Sequence, residues 1–298
     1  MISAIEEKKR SGNAANPLEK EIFGAGMSFA AREAYKLLRT NLMFALSDTE
    51  EGRGHIIGMT SALRGEGKST TTLNLAGVLA EQGKKVVVVE GDLRLPSLRK
   101  KLRMRVKTGL SNVLVTRGNP LDYVQPYRVG VLEKKPICFD ILFAGEIPPN
   151  PSELLGSRRM EETLKALAQT YDFVILDLPP VTAVSDALVA TKLVDGVVLV
   201  VRNEYSDTGS LNEAIRQLQQ VDGKILGFVF TCADGSLGGY RKKYRYKYKY
   251  RYYNRYYDEY TPYNRYLLCW EGRIAEIRFD GEPTAEQLRI AAETLKTA

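Results

Sequence analysis

No part of the chain narrows the possible folds as much as the stretch "HIIGMTSALRGEGKSTTTLNLAGVLAEQG" at 55–83. It reads as a buried strand, a glycine-containing loop and an amphipathic helix. The pattern then repeats. Short apolar strands are expected near 55–61, 85–92, 139–145, 173–178, 196–202 and 224–231, and helices near 68–82, 152–169, 185–193 and 209–221. Such alternation predicts an α/β fold, a doubly wound and mostly parallel sheet covered by helices on both faces. Ligands bind such sheets at the carboxyl ends of the strands, so the functional loops should follow strands.

The loop after the first strand, "SALRGEGKST" at 61–70, resembles a Walker A loop that opens on Ser61 instead of glycine. Successive backbone N–H groups and a helix N-terminus can bind phosphate oxygens, and Gly65 and Gly67 permit the close approach. Glu66 and Thr70 belong to the same loop. Lys68 is placed to reach the β- and γ-phosphates of ATP, and the Ser69 hydroxyl to ligate Mg²⁺.

Two further strand ends carry acids. "KVVVVEGDLRLP" puts Glu90 and Asp92 at the end of a buried strand, with Arg94 following. Two residues apart on a strand, both acids would project to one face and suit a metal ion with its waters, or a base for an incoming hydroxyl. Arg94 either stabilises charge or pairs with an acid. "FVILDLPPV" delivers Asp177, the expected Walker B carboxylate.

Composition bounds the rest. At 298 residues with 44% hydrophobic content the chain can bury a full domain core. Its apolar runs, such as "VVVV" at 86–89, are strand-sized, and the polar start "MISAIEEKKRSGN" has no signal-peptide character. Cys138, Cys232 and Cys269 lack metal-ligand spacing and fit reduced thiols. The lone His55 opens an apolar strand and reads as structural.

The net charge of +7 has one source. Residues 240–266, "YRKKYRYKYKYRYYNRYYDEYTPYNRY", carry nine basic and two acidic residues, also +7, so the remaining body is neutral. The same segment holds twelve of the seventeen tyrosines. It has no core periodicity and reads as solvated. Taken alone, it suits a patch for nucleic acid, with bases stacked on tyrosine, or for anionic lipid, as well as it suits a tyrosine substrate. Beyond it, "RIAEIRFDGEPTAEQLRIAAETLKTA" reads as a strand, a turn and a helix whose Thr284 and Gln287 could form a capping box.

Taken in order, the Walker A loop at 61–70, a second Walker motif at 86–94, "AGEIPPNPSELLGS" at 144–157, Walker B at 174–177 and the tyrosine-rich segment resemble the bacterial tyrosine kinases of the polysaccharide co-polymerase group. The resemblance spans roughly residues 28–266. It implies a P-loop NTPase fold with a deviant, MinD/ParA-like Walker A, ATP and Mg²⁺ as cofactors, and autophosphorylation that regulates capsular or extracellular polysaccharide synthesis or export. Lys68, Asp92, Glu90 and Arg94 become the catalytic candidates, and Ser69, Asp177, Glu90 and Asp92 the metal candidates. The acceptors would be Tyr240, Tyr244, Tyr246, Tyr248, Tyr250, Tyr252, Tyr253, Tyr256, Tyr257, Tyr260, Tyr263 and Tyr266 of a neighbouring subunit. Glu33, Lys36 and Arg39, on an amphipathic helix at 28–46, would mediate ring-type assembly.

The partners implied are further copies of the chain, a separate membrane-embedded activator and a cognate tyrosine phosphatase, with no nucleic acid. The location implied is cytoplasmic, at the inner face of the membrane. The organisation expected is a polar arm at 1–27, a kinase domain at 28–239, the tyrosine-rich tail at 240–266 and an extension at 267–298. The chain departs from the family pattern at Glu90, where aspartate is usual, at Lys36 in place of arginine, and at Arg64 in place of proline. The alternative of the same fold is a partitioning or cell-division ATPase switch whose basic tail binds lipid or nucleic acid. Its signature lysine would fall at Leu63, which counts against it.

Overall fold

The computed structural model describes residues 2–4, 27–46, 52–132, 135–232, 263–270 and 273–280. They fall into two units, residues 1–239 and 240–298.

The first unit is built on an eight-stranded sheet. Its strands are β1 (Ile2–Ala4), β2 (His55–Ser61), β3 (Val86–Glu90), β4 (Gln125–Leu132), β5 (Lys135–Leu142), β6 (Phe173–Asp177), β7 (Gly196–Arg202) and β8 (Ile225–Thr231). They lie in the order β1-β8-β7-β2-β6-β3-β5-β4. Every neighbouring pair is parallel except β4 with β5.

The two-residue period of a strand explains why the central strands are apolar throughout. Ile57, Met59, Val86, Val88, Ile175, Val198 and Val200 enter one core. Ile56, Val87, Val89, Val174, Leu176, Val197 and Leu199 enter the core on the opposite face.

On the first face, α1 (Phe29–Ala45) covers α2 (Lys68–Ala80). Ser28 caps α1 by accepting from Ala31 N at 3.2 Å, and Ala31, Tyr35, Leu38 and Leu42 form its buried stripe. Trapped between α1 and the sheet, α2 is buried continuously from Thr71 to Leu79. Also present are α3 (Leu98–Lys101), α4 (Leu110–Thr116), α5 (Pro151–Leu155), α6 (Arg158–Thr170), α7 (Asp186–Thr191) and α8 (Thr208–Gln220). No helix among the described residues is long and apolar enough to cross a membrane.

Several sequence expectations need correction. The helix expected over 152–169 is two helices, because Gly156 closes α5 and Ser157 caps α6 through Met160 N at 3.2 Å. The strand expected to 92 ends at Glu90, so Asp92 belongs to the following loop and the same-face argument for the two acids fails. The arm at 1–27 supplies a strand, β1, on the edge of β8. β4, α3 and α4 were not anticipated.

The second unit shows an antiparallel pair, β9 (Tyr263–Trp270) and β10 (Arg273–Asp280), with Tyr263 opposite Asp280 and Tyr266 opposite Ile277. β10 lies where a strand was expected. β9 runs through position 266, so the division drawn there between tail and extension does not fall at the end of an element. The tract 240–262 and the helix expected around Thr284 and Gln287 lie outside the described residues.

Candidate functional site

At the carboxyl end of β2, residues 62–67 turn into α2. Gly65 and Gly67 have φ of 88° and 92°, a left-handed conformation that a side chain would strain. Gly67 sits at the N-cap of α2 and no side chain caps that helix. Its first-turn N–H groups have no intrahelical partner and are aimed at the loop, an arrangement suited to phosphate.

The loop is braced from outside. Glu66 is fully buried, and its Oε2 accepts from Leu63 N at 2.6 Å while Ser206 Oγ donates to its Oε1. Thr231 Oγ1 donates to the Glu66 carbonyl at 2.7 Å. Arg202 Nη1 reaches the Gly65 carbonyl at 3.1 Å and Tyr205 Oη the Arg64 carbonyl at 3.0 Å, with the Arg202 guanidinium 5.2 Å from the Tyr205 ring centre. On the other side Ser61 Oγ donates to Leu63 O at 2.7 Å, and Thr182 Oγ1 to Ala62 O at 2.6 Å. Glu66 thus shapes the loop from within the protein. Arg202, Tyr205, Ser206 and Thr231 escaped the sequence reading.

The structure brings Lys68, Ser69, Asp92 and Asp177 together. Lys68 Nζ lies 3.9 Å from Asp92 Oδ2, and Asp92 Oδ1 accepts from Leu95 N at 3.0 Å. Asp177, at the end of β6, is buried. Burial pushes its pKa up, while the Lys68 charge and a hydrogen bond from Ser69 oppose that shift. Its Oδ1 is buried with no hydrogen-bond partner in the protein. An unmet carboxylate oxygen beside a hydroxyl is an all-oxygen donor set that fits Mg²⁺. No group of three acidic, histidine or cysteine side chains converges among the described residues. Lys101, the last residue of α3, also reaches this site and donates to Thr70 Oγ1.

Glu90 is placed otherwise than expected. Its Oε1 accepts from Ser97 N at 2.6 Å and Leu98 N at 2.7 Å, and its Oε2 from Ala144 N at 3.0 Å. Burial raises its pKa against these three bonds, and the Asp177 charge adds to the rise. The carboxylate ties the loop before α3 to the loop after β5. Arg94 pairs with an acid: its Nε donates to Asp186 Oδ2 at 2.8 Å, and its Nη2 donates to Ser152 Oγ at 2.9 Å. Asp186 is fully buried, and Ser152 Oγ donates to it as well.

The assembly candidates lie apart from this site, on α1. Lys36 Nζ is 3.0 Å from Glu33 Oε1. Arg39 Nη1 donates to the Val78 carbonyl of α2 at 2.9 Å, and its burial lowers its pKa. His55 lies at the opposite end of β2 from the loop, 5.3 Å from the Phe173 ring centre. Of the tyrosines expected as acceptors, those from Tyr240 to Tyr260 lie outside the described residues, and Tyr263 and Tyr266 are in β9.

Strand, glycine loop, uncapped helix and buried Walker B acid define a P-loop nucleotide-binding protein. The AAA domain family (AAA_31) matches residues 54–226. Tyrosine-protein kinase YwqD of Bacillus subtilis is 38% identical over 197 residues, covering 66% of this chain and 79% of that protein. The putative tyrosine-protein kinase CapB of Staphylococcus aureus is 32% identical, over 66% of this chain and 82% of its own. Tyrosine-protein kinase etk of Escherichia coli is 33% identical over 67% of this chain, but the match covers only 26% of that longer protein. The solved kinase domain of Escherichia coli tyrosine kinase ETK superposes with a TM-score of 0.67 at 28% identity, covering 81% of this chain and 94% of that one. The chain belongs to the bacterial tyrosine-protein kinases.

Proposed function

We propose that the chain transfers the γ-phosphoryl group of Mg-ATP to tyrosine hydroxyls in the 240–266 segment of a neighbouring copy, in the service of capsular or extracellular polysaccharide synthesis or export. The observation that carries the reading is the placement of Lys68 3.9 Å from Asp92, beside an Asp177 with an unmet oxygen. Phosphoryl transfer asks mainly for positioning and charge neutralisation. Mg-ATP, when bound, supplies the phosphoryl group and a divalent charge. The amides of 65–69 and Lys68 bind and neutralise phosphate oxygens. Ser69 and Asp177 would hold the cation directly or through water. Asp92 would orient the acceptor phenol or take its proton as the phenol oxygen bonds to the γ-phosphorus and the bond to the β,γ-bridging oxygen breaks, releasing ADP.

Glu90, with both oxygens on backbone N–H groups, holds the loops that frame Asp92, and this replaces the metal role expected of it. Arg94, engaged by Asp186 and Ser152, does the same for the 92–95 turn. We further infer a cytoplasmic protein recruited by a membrane-embedded activator, assembled through α1 with Glu33, Lys36 and Arg39, and reset by a tyrosine phosphatase.

The test mixes two variants in the presence of Mg-ATP. Lys68→Met with an intact tyrosine tract should carry no label alone, and should become labelled when mixed with an active protein lacking 240–298. Label on Lys68→Met alone, from a host without other tyrosine kinases, overturns the site. Absence of label in the mixture, with concentration-independent labelling of the intact protein, places transfer within one chain. ADP release without any label supports the ATPase switch.

A further inference from the structure

Directly after the loop that carries Asp92, the sequence "RKKLRMRVK" at 99–107 contains six cations and no acid. Its fold separates two kinds of side chain. Leu102, Met104 and Val106 are partly buried and pack on the core, while Arg103, Arg105 and Lys107 between them are exposed, as are Arg99 and Lys100. Arg99 Nη1 donates to the Val106 carbonyl at 3.1 Å, and the Met104 N–H to the Arg99 carbonyl at 3.0 Å, so the segment is pinned against itself. At one end the Glu90 carboxylate fixes its start, and Lys101 enters the nucleotide site at Thr70. The result is a run of cations, at every second residue from Lys101 to Lys107, that begins at the rim of the transfer site. Neither the nucleotide chemistry nor the packing of the domain requires it.

The tyrosine tract has the same period. In "YRYKYKYRY" at 244–252, Tyr244, Tyr246, Tyr248, Tyr250 and Tyr252 alternate with four cations. In an extended chain residues two apart project to the same side, about 7 Å from one another. One edge of such a tract is then all phenol and the other all cation. Unmodified, it is repelled by the basic row. Each phosphotyrosine adds about −1.5 to −2 at pH 7, and four at successive second positions convert the phenol edge into a line of dianions with the same two-residue sequence period as Arg103, Arg105 and Lys107. Arginine matches phosphate through paired N–H donors.

We propose that Arg103, Arg105 and Lys107, with Arg99 and Lys100 beside them, form a docking surface for the phosphorylated tyrosine tract of a neighbouring copy. This rests on the reading of that tract as the substrate. The product, repelled from the carboxylates of the transfer site, is retained a few residues away on the basic row. Anionic membrane would also meet exposed cations, but nothing in a lipid surface asks for an alternating row that adjoins the catalytic loop, and the shared period favours the tract.

The test uses the full-length Lys68→Met protein, which carries no phosphate, and fluorescent synthetic peptides of residues 240–256. One peptide is unmodified. A second carries phosphotyrosine at 244, 246, 248 and 250, and a third has four phosphates without that uninterrupted two-residue spacing, at 240, 244, 253 and 256. Anisotropy at physiological salt should show binding of the second peptide, several-fold weaker binding of the third, and none of the first. Adding Arg103→Ser, Arg105→Ser and Lys107→Ser should weaken the second at least about tenfold, since three charge-assisted contacts are lost, while nucleotide affinity and melting temperature stay the same.

Equal binding of all three peptides, or no effect of the triple substitution, overturns the proposal. If the triple substitution abolishes binding to vesicles containing phosphatidylserine but leaves the phosphopeptide bound, the row is a lipid contact and the proposal also falls. The peptides are phosphorylated chemically, so their binding is measured independently of kinase activity. A tract that is labelled by Mg-ATP in the active protein but fails to dock refutes this inference alone.

Discussion

Replacing Glu90 by glutamine separates a loop-organising role from a metal-binding one. The carboxylate receives three backbone N–H groups, two at one oxygen and one at the other. Glutamine can keep its oxygen on Ser97 and Leu98, but its NH2 then faces the Ala144 N–H, donor against donor. Stranding one buried donor costs about 1–3 kcal/mol, and the two remaining bonds lose their charge assistance. Relief of the burial that raises the Glu90 pKa offsets part of this. The expected net loss is about 2 kcal/mol, which for a domain of this size lowers the melting temperature by about 4–8 °C. Glu90→Asp, one methylene shorter, should reach only one of the two loops and cost a similar amount. Thermal melts without nucleotide or Mg²⁺ measure both. An unchanged melting temperature with a weakened Mg²⁺ dependence of ATP binding would refute the structural account and make Glu90 a metal ligand.

Lys101→Met should weaken ATP and ADP binding several-fold by equilibrium titration, because the ammonium at Thr70 lies beside the phosphate loop; unaltered affinity for both would exclude Lys101 from the site. Arg94→Met should destabilise the domain by about 2 kcal/mol in urea unfolding, less than the full cost of stranding a buried charge, because Ser152 still donates to Asp186. A loss of catalytic rate at unchanged stability would instead place Arg94 in the chemistry. Tyr171 donates to Asp140 at 2.6 Å, and burial, with Asp140 next, holds its phenol well above the usual tyrosine range. The fold therefore favours the neutral phenol, and its contribution is full below the unfolded-chain value of about 10 and declines as pH rises past it. Tyr171→Phe should cost about 1 kcal/mol at pH 7, and the gap to the natural protein should narrow above pH 10; a gap that stays constant there refutes the linkage.

The parts of this site readable from the sequence are those that local pattern fixes. β2 and β7 begin and end where their apolar runs do, and Lys68, Ser69 and Asp177 follow from motif spacing within one strand or one loop. The missed parts depend on pairing across the sheet. Arg202 and Thr231 brace the phosphate loop from 137 and 165 residues away, and only the adjacency of β2, β7 and β8 brings them there. β4 was missed because "QPYRVGVL" is an edge strand with a proline and an arginine in it. Glu90 looked like a metal acid because nothing in its spacing reveals that three N–H groups await it.

The pairing of Tyr263 and Tyr266 in β9 sorts the twelve proposed acceptors into two ranks. Ten, from Tyr240 to Tyr260, precede the hairpin, and two are stitched into it by main-chain bonds. If the transfer site takes an extended single strand, that stretch must first give up its main-chain bonds to β10. Two-stranded hairpins in water are only marginally stable, so the latch is soft, yet the reacting form of those two residues is only a fraction of the whole and their apparent affinity falls by that fraction. Modification should therefore run through the ten before it reaches the two, and phosphate at 263 or 266 would mark molecules whose hairpin has already come undone.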